Sequence, residues 1–186
     1  MNVFDNFDPP YIRDILLGRR LIPHQEVFII SPFLSSEIFS FVSRFSHSLR
    51  MFLKNGTNVT LITKPQPLDI TIAICKWKPY GLNIFYNKNL HAKIYYFGVN
   101  ENSPRFNIKY HQSVALVGSA NFTKSGTGME FSNQPLEEVC VLLKDEGLLL
   151  LKKRIDKIRK NSIDSNLGSF ILKKCLTKVR TKNDEQ

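Results

Sequence analysis

Short apolar runs bounded by turn-forming residues recur along the chain and predict six β-strands. These runs occupy residues 26–33, 57–63, 82–87, 90–98, 113–118 and 137–143. Residues 99–112, between the fourth and fifth runs, are polar and rich in turn formers, which predicts a long hairpin connection.

Three further segments show the spacing of amphipathic helices. The first spans residues 35–53, with Ser35 or Ser36 as its cap. Its apolar face comprises Ile38, Phe41, Val42, Phe45, Leu49 and Phe52. A short helix is predicted within residues 67–77, and the chain from Asp145 onward is helical, with Leu148, Leu151, Ile155 and Ile158 facing the core.

Helices alternate with strands early in the chain, and the later strands cluster. This order predicts an α/β fold, a mixed β-sheet flanked by helices. The length of 186 residues suits one domain, 1–186. We expect residues 1–24 to form an N-terminal extension and residues 145–186 a basic helical C-terminal part.

Composition narrows the functional classes. A 42% hydrophobic content is that of a globular protein, and the net charge of +10 favours a polyanionic partner such as DNA. Cys75, Cys140 and Cys175 are far apart, which argues against a disulfide framework or a zinc ribbon. The sequence shows neither a secretory signal nor an apolar run long enough to span a membrane, so we predict a cytoplasmic protein without a membrane partner.

Two short segments carry candidate chemistry. His91 and Lys93 are two residues apart in a predicted strand, so their side chains should point to the same side. Ser119 and Asn121 repeat this spacing after Gly118, which ends the next strand. Imidazole, ammonium, hydroxyl and amide groups together suit a phosphate, and they do not form a good cage for a hard metal ion. We therefore expect neither a metal nor another cofactor.

These residues resemble the HKD motif of the phospholipase D superfamily, His-x-Lys followed by Gly-Ser-x-Asn. The resemblance implies a phospholipase D-like fold with one motif per chain. The family also has a glutamate near the start of the next strand, and Glu138 is the best match, ahead of Glu137 and Glu130. The usual motif has an aspartate at the position of Gly98, and it has fewer residues between its two halves. These departures resemble metal-independent restriction endonucleases of the BfiI type.

The resemblance implies a role for each residue. His91 would attack phosphorus and form a phosphohistidine, while Lys93, Ser119 and Asn121 hold the phosphoryl oxygens. Glu138 would orient the imidazole. A second histidine must protonate the leaving oxygen, and a homodimer would supply it as His91 of the partner subunit. A nuclease of this kind needs a separate domain or subunit to recognise a DNA sequence.

Other polar residues receive weaker predictions. Thr123, Lys124, Arg19 and Arg20 are candidate substrate contacts, whereas His24, His47 and His111 are predicted at the surface and Trp77, Phe122 and Cys140 in the core. Two alternative functions remain open: a lipid phosphodiesterase or phosphatidyl transferase of the same superfamily, and a catalytically inactive module that binds nucleic acid or dimerises.

Overall fold

A computed structural model describes residues 2–5, 11–127 and 139–165 of the chain. The β-strands are β1 (Asn2–Asp5), β2 (His24–Ile30), β3 (Asn58–Thr63), β4 (Asn83–Tyr86), β5 (Ile94–Val99), β6 (Val114–Gly118), β7 (Val139–Leu143) and β8 (Ile163–Asp164). The α-helices are α1 (Tyr11–Gly18), α2 (Arg44–Lys54), α3 (Leu68–Cys75), α4 (Lys124–Thr127) and α5 (Glu146–Lys160). The six predicted strands correspond to β2 to β7, but β2 ends at Ile30 and β5 begins only at Ile94. The short helix predicted within 67–77 is confirmed as α3. After Asp145 the chain is helical as far as Lys160, residues 163–164 form a strand instead, and residues 166–186 lie outside the described part of the chain.

The strands form one mixed sheet in the order β1-β7-β6-β5-β2-β3-β4-β8. Neighbours pair in parallel at β2–β3 and β3–β4, and antiparallel elsewhere. The long connection after β5 closes an antiparallel hairpin with β6, as expected. The predicted α/β class with a mixed sheet is therefore confirmed.

Alternating side chains of the central strands bury both faces of this sheet. On β2, Val27 and Ile29 contact the cluster beneath α1, α2 and α3, whereas Phe28 and Ile30 contact the cluster beneath α5. Leu148 and Ile155 of α5 are buried, as their helical spacing predicts. Because helices cover both faces of the sheet, the ends of its strands are the places left open for a site. No helix in the part of the chain that the structure describes is long and apolar enough to cross a membrane.

The predicted helix over 35–53 is wrong in its first half. Residues Ser36–Phe39 form a 3-10 turn, and the α-helix begins only at Arg44. Ser43 caps it, because its Oγ accepts a hydrogen bond from the backbone N–H of Ser46 at 3.0 Å. Phe41 and Val42 therefore leave the core and are 44% and 93% exposed.

The N-terminal segment contributes more to the sheet than its sequence indicates. β1 pairs with β7 and forms one edge of the sheet. Helix α1 buries Ile12 and Leu16 against the core. The C-terminal part of the chain is described as far as residue 165, where β8 pairs with β4 at the other edge.

Candidate active site

The candidate residues lie along the side of the sheet where its central strands end. This side is called the candidate edge below, and it is distinct from the edge strands β1 and β8. β2, β3, β4 and β6 end there, and β5 begins there because it runs antiparallel to β2 and β6. Polar residues that follow strands ending at the same edge are close in space, which makes this edge the natural position for a site built from loops.

His91 and Lys93 occupy this edge, but not within a strand as predicted. Strand β5 begins at Ile94, which pairs with Ile30 on one side and with Val117 on the other. Strand pairing does not extend to His91. The prediction that His91 and Lys93 point to the same side, which assumed a strand at these residues, therefore does not apply. His91 is exposed and Lys93 is partly buried in the segment that leads into β5.

The second half of the motif lies directly beside the first. The backbone N–H of Gly118 donates to the Lys93 carbonyl at 3.3 Å, which joins the two halves by one hydrogen bond. The backbone N–H of Ser119 donates to the Val139 carbonyl at 3.0 Å, and the Val139 N–H donates back to Ser119 Oγ at 3.0 Å. Ser119 is thereby fixed to the start of β7. Glu138 precedes this strand and lies outside the described residues, as do Glu137 and Glu130.

A close backbone contact explains the glycine of the motif. A Cβ atom added at Gly118 would lie 2.1 Å from the Val139 carbonyl oxygen and 2.7 Å from Cys140 Cα. Any other residue would therefore separate β6 from β7 and displace Ser119. Glycine here serves the strand pairing that positions the site.

Asn121 lies in a loop that is held from beneath. The hydroxyl of Tyr95 on β5 donates to the Ala120 carbonyl at 2.7 Å, and Phe122 is fully buried, as predicted. Asn121 Oδ1 is buried and has no hydrogen-bond partner among the described residues. An unpaired buried polar atom costs roughly 1–3 kcal/mol.

Two serines that sequence reasoning missed also position this loop. Ser31 Oγ accepts from the Phe122 N–H at 2.8 Å, and Ser35 Oγ accepts from the Lys124 N–H at 2.9 Å. The only sequence signal was that both serines follow β2, whose carboxyl end lies at this edge. Their partners are about ninety residues away in the chain, so no local pattern indicates these bonds.

The two weaker candidates in the loop have local structural roles. Thr123 Oγ1 accepts from the Gly126 N–H at 3.0 Å at the start of α4. Lys124 is partly buried and its backbone is fixed by Ser35. Both residues lie at the edge that holds His91 and Lys93.

The structure does not bring Arg19 and Arg20 to this edge. They form a 3-10 turn just before β2, at the opposite ends of the strands. Arg19 donates to the carbonyl of Gln112, and its guanidinium carbon lies 5.9 Å from the centre of the Phe97 ring. Burial lowers the pKa of Arg19 to about 10.

His24 lies beside Arg19, and its predicted surface position is wrong. The side chain is only 4% exposed, between the rings of Phe52 and Phe97 at centroid distances of 5.5 and 5.6 Å. Its Nε2 is 2.9 Å from the Arg19 carbonyl. Burial, followed by the charge of Arg19, lowers the pKa of His24 to about 4. His47 is exposed, as predicted, and His111 accepts a hydrogen bond from Asn107 within its own loop.

The position of the missing aspartate, Gly98, faces an acidic side chain on the next strand. Glu26 is its partner in the β2–β5 register, and a Cβ atom at Gly98 would lie 3.1 Å from Glu26 Cγ. The Glu26 carboxylate forms a salt bridge with Lys152 of α5 at 2.9 Å. Lys152 Nζ also lies 4.5 Å from the centre of the Phe28 ring. This cluster attaches α5 to the sheet.

Four of the segments at the candidate edge carry positive charge only. The edge segments 31–36, 63–67, 87–93 and 118–127 contain no acidic residue, and they carry Lys64, Lys88, Lys93 and Lys124. The positive charge of these four segments favours an anionic ligand. Among the described residues, no three His, Cys, Asp or Glu side chains form a group that could hold a metal ion.

Comparison with known proteins gives similarity in structure but not in sequence. No protein-family model matches the chain, and no curated protein is significantly similar to it. The phospholipase D family member Nuc from Salmonella typhimurium superposes with a TM-score of 0.59 at 15% identity, over 88% of this chain and 95% of Nuc. Polyphosphate kinase from Porphyromonas gingivalis gives 0.60 at 13% identity, over 84% of this chain and 25% of the kinase.

A third similar structure is that of a synthase. Phosphatidylserine synthase from Haemophilus influenzae gives a TM-score of 0.56 at 14% identity, over 88% of this chain and 39% of the synthase. Likeness at these identities concerns the path of the chain and leaves substrate choice open. The chain has the phospholipase D-like fold seen in Nuc.

Proposed function

We propose that this protein is a metal-independent phosphodiesterase that cleaves DNA through a covalent phosphohistidine. One observation carries the proposal: the hydrogen bond from the Gly118 N–H to the Lys93 carbonyl sets the His-x-Lys and Gly-Ser-x-Asn segments side by side. The fold shared with Nuc supports it. The restriction endonucleases of the BfiI type are the proposed class.

In the first chemical step, an imidazole nitrogen of His91 attacks phosphorus while the bond to the leaving oxygen breaks. The leaving oxygen takes a proton from a second histidine. In the second step, water attacks phosphorus, gives its proton to that second histidine and displaces His91. The products are one hydroxyl end and one phosphomonoester end.

The remaining residues of the site stabilise the transition state. Lys93 and the amide N–H of Asn121 bind the phosphoryl oxygens as negative charge develops on them. Ser119 Oγ accepts from the Val139 N–H at 3.0 Å and donates to the Val139 carbonyl at 3.4 Å. Its hydroxyl would exchange this long second bond for one to the phosphate. Glu138 holds the imidazole of His91 in one tautomer.

A homodimer supplies the second histidine, which would be His91 of the partner subunit. A twofold interface brings two copies of one surface together, so a single exposed histidine per chain suffices. In this arrangement the chain 1–186 is one catalytic domain of a cytoplasmic restriction enzyme. A separate domain or subunit recognises the sequence.

DNA is the proposed substrate because the charge of the protein matches it. The net charge is +10, and the candidate edge presents lysines without carboxylates in its four segments. Each phosphate that these lysines neutralise releases counterions, and binding should therefore weaken steeply with salt. Thr123 and Lys124 are the proposed contacts to the backbone beside the scissile phosphate.

The experiment is cleavage of supercoiled plasmid DNA in excess EDTA. We expect nicking by the wild type, none by His91→Ala, and unchanged nicking by His47→Ala, whose histidine is exposed elsewhere. Loss of nicking in EDTA with recovery in Mg²⁺ would refute the metal-independent mechanism. Binding without cleavage under any condition would identify an inactive nucleic-acid-binding module, and activity on phosphatidylcholine vesicles alone would identify a lipid enzyme.

The pH dependence of the cleavage rate gives a second test. One histidine must be neutral to attack and the other protonated to act as an acid, so the rate should fall both at low and at high pH. We expect a bell-shaped dependence of rate on pH. A flat profile from pH 5 to pH 8 would contradict the two-histidine mechanism.

A further inference from the structure

An exposed aromatic ring lies beside the candidate site. Phe33 is 54% exposed, although large apolar side chains are normally buried. It follows β2 at the edge where His91 and Asn121 lie. A ring that is open to solvent offers a stacking surface.

The chain around Phe33 is directly apposed to the loop of Asn121. Leu34 and Phe122 form a parallel β-bridge, so Phe33 and Asn121, which precede them, lie abreast on adjacent segments. Adjacent segments in such a pairing are about 5 Å apart. Phe33 is therefore a near neighbour of the residue proposed to hold the phosphoryl oxygens.

The backbone that carries the ring is fixed by hydrogen bonds. Ser31 Oγ donates to the Phe33 carbonyl at 2.8 Å. Gln66 Nε2 donates to the carbonyls of Pro32 at 2.9 Å and Lys64 at 3.0 Å, which joins the segment after β2 to the segment after β3. These bonds fix the backbone of Phe33 before any ligand binds, so little backbone entropy is lost on binding.

A cation accompanies the ring. Lys64 Nζ lies 5.7 Å from the centre of the Phe33 ring. An aromatic face beside an ammonium group matches a nucleotide, because the base stacks on the ring and the phosphate binds the cation. A phospholipid headgroup has a phosphate but lacks the flat ring that would stack.

We infer that Phe33 and Lys64 form a subsite for an unpaired nucleotide next to the scissile phosphate. The inference rests on the proposed function, and it specifies that the DNA strand is locally unpaired beside the phosphate that is cut. In a duplex the bases are already stacked on their neighbours, so stacking on Phe33 requires a base that is free of its partner. Unpaired strands should therefore bind better than a relaxed duplex of the same charge.

The test is fluorescence anisotropy with two labelled oligonucleotides, one a short oligothymidylate and the other an abasic strand with the same number of phosphates. All proteins carry His91→Ala, so that neither strand is cut. We expect Phe33→Ala to raise the Kd for oligothymidylate about tenfold and to leave the Kd for the abasic strand within about twofold. Phe33→Trp should restore tight binding.

A matched control and three outcomes complete the test. Phe41→Ala removes another exposed phenylalanine, one that lies 4.9 Å from Trp77, and it should change neither Kd. Equal weakening for both strands, or none, would refute the subsite. A dimer that dissociates in Phe33→Ala, seen by size-exclusion chromatography, would assign the ring to a subunit interface instead.

This design separates the inference from the proposed function. Binding is measured without chemistry, so a protein that fails to nick plasmid can still show Phe33-dependent binding. Conversely, plasmid nicking with Kd values that do not depend on Phe33 would retain the nuclease and remove the subsite.

Discussion

We expect acid to destabilise this protein through one buried histidine. His24 is 4% exposed and its pKa is about 4, against an ordinary value of 6.5. Burial is the main cause, and the positive charges of Arg19 and His111 act in the same direction. The test lowers the pH and compares the loss of stability of the wild type with that of His24→Gln.

Proton linkage gives the sign and the size of the change in the free energy of unfolding with pH. Between pH 6.5 and pH 4 the unfolded chain binds a proton at His24 and the folded chain does not, so the free energy of unfolding falls as the pH falls. The stabilisation is complete above pH 6.5. The gap between 6.5 and about 4, at roughly 1.4 kcal/mol per pH unit, corresponds to at most about 3 kcal/mol lost by pH 4.

The assay is urea unfolding followed by the fluorescence of Trp77, the one tryptophan of the chain, which is 1% exposed. We expect the wild type to lose stability more steeply than His24→Gln over this pH range, by up to about 1.4 kcal/mol per pH unit. The carboxylates are the same in both proteins, so their contribution cancels when the two slopes are compared. Parallel slopes, or an equal reduction of slope in the exposed-histidine variant His47→Gln, would refute the reasoning.

Three further substitutions test the packing around the site. Gly118→Ala should cost about 3 kcal/mol in thermal unfolding, because its Cβ would lie 2.1 Å from a backbone oxygen of β7. Gly147→Ala is the control: its Cβ would lie 3.8 Å from the nearest atom, so it should not destabilise the protein. Gly98→Asp should cost about 1–3 kcal/mol in urea unfolding by crowding Glu26, and adding Glu26→Gln should recover part of it; no recovery would exclude charge repulsion. Lys152→Met should lower stability by about 1 kcal/mol in low salt and by less in high salt, since it removes the salt bridge to Glu26; an equal loss at both salt concentrations would count against the charge argument.

The sequence by itself determined the order and type of most elements. Strands such as β3 and β6 are short apolar runs, and α5 carries a regular stripe ending at Ile158, so the local pattern and the final environment agree. The Gly-Ser-x-Asn segment was also readable, because a glycine at a strand end marks a close backbone contact.

The local sequence pattern gave a wrong prediction where contacts with other segments determine the structure. The apolar spacing around Phe41 suited a helix, but Ser43 caps α2 and its Oγ donates to the Ile38 carbonyl, so the chain turns before the helix begins. His24 is polar in sequence, yet the aromatic rings of α2 and β5 enclose it.

The composition of the candidate site was readable from the sequence, whereas its assembly was decided by the tertiary structure. His91 and Asn121 stand out as residue types at a fixed spacing. Their placement at one edge depends on antiparallel pairing between β5 and β6 and on hydroxyl bonds from Ser31, ninety-one residues from its partner. Pairing across such separations is a property of the whole fold, because its energy comes from burying both faces of the sheet and not from any local segment.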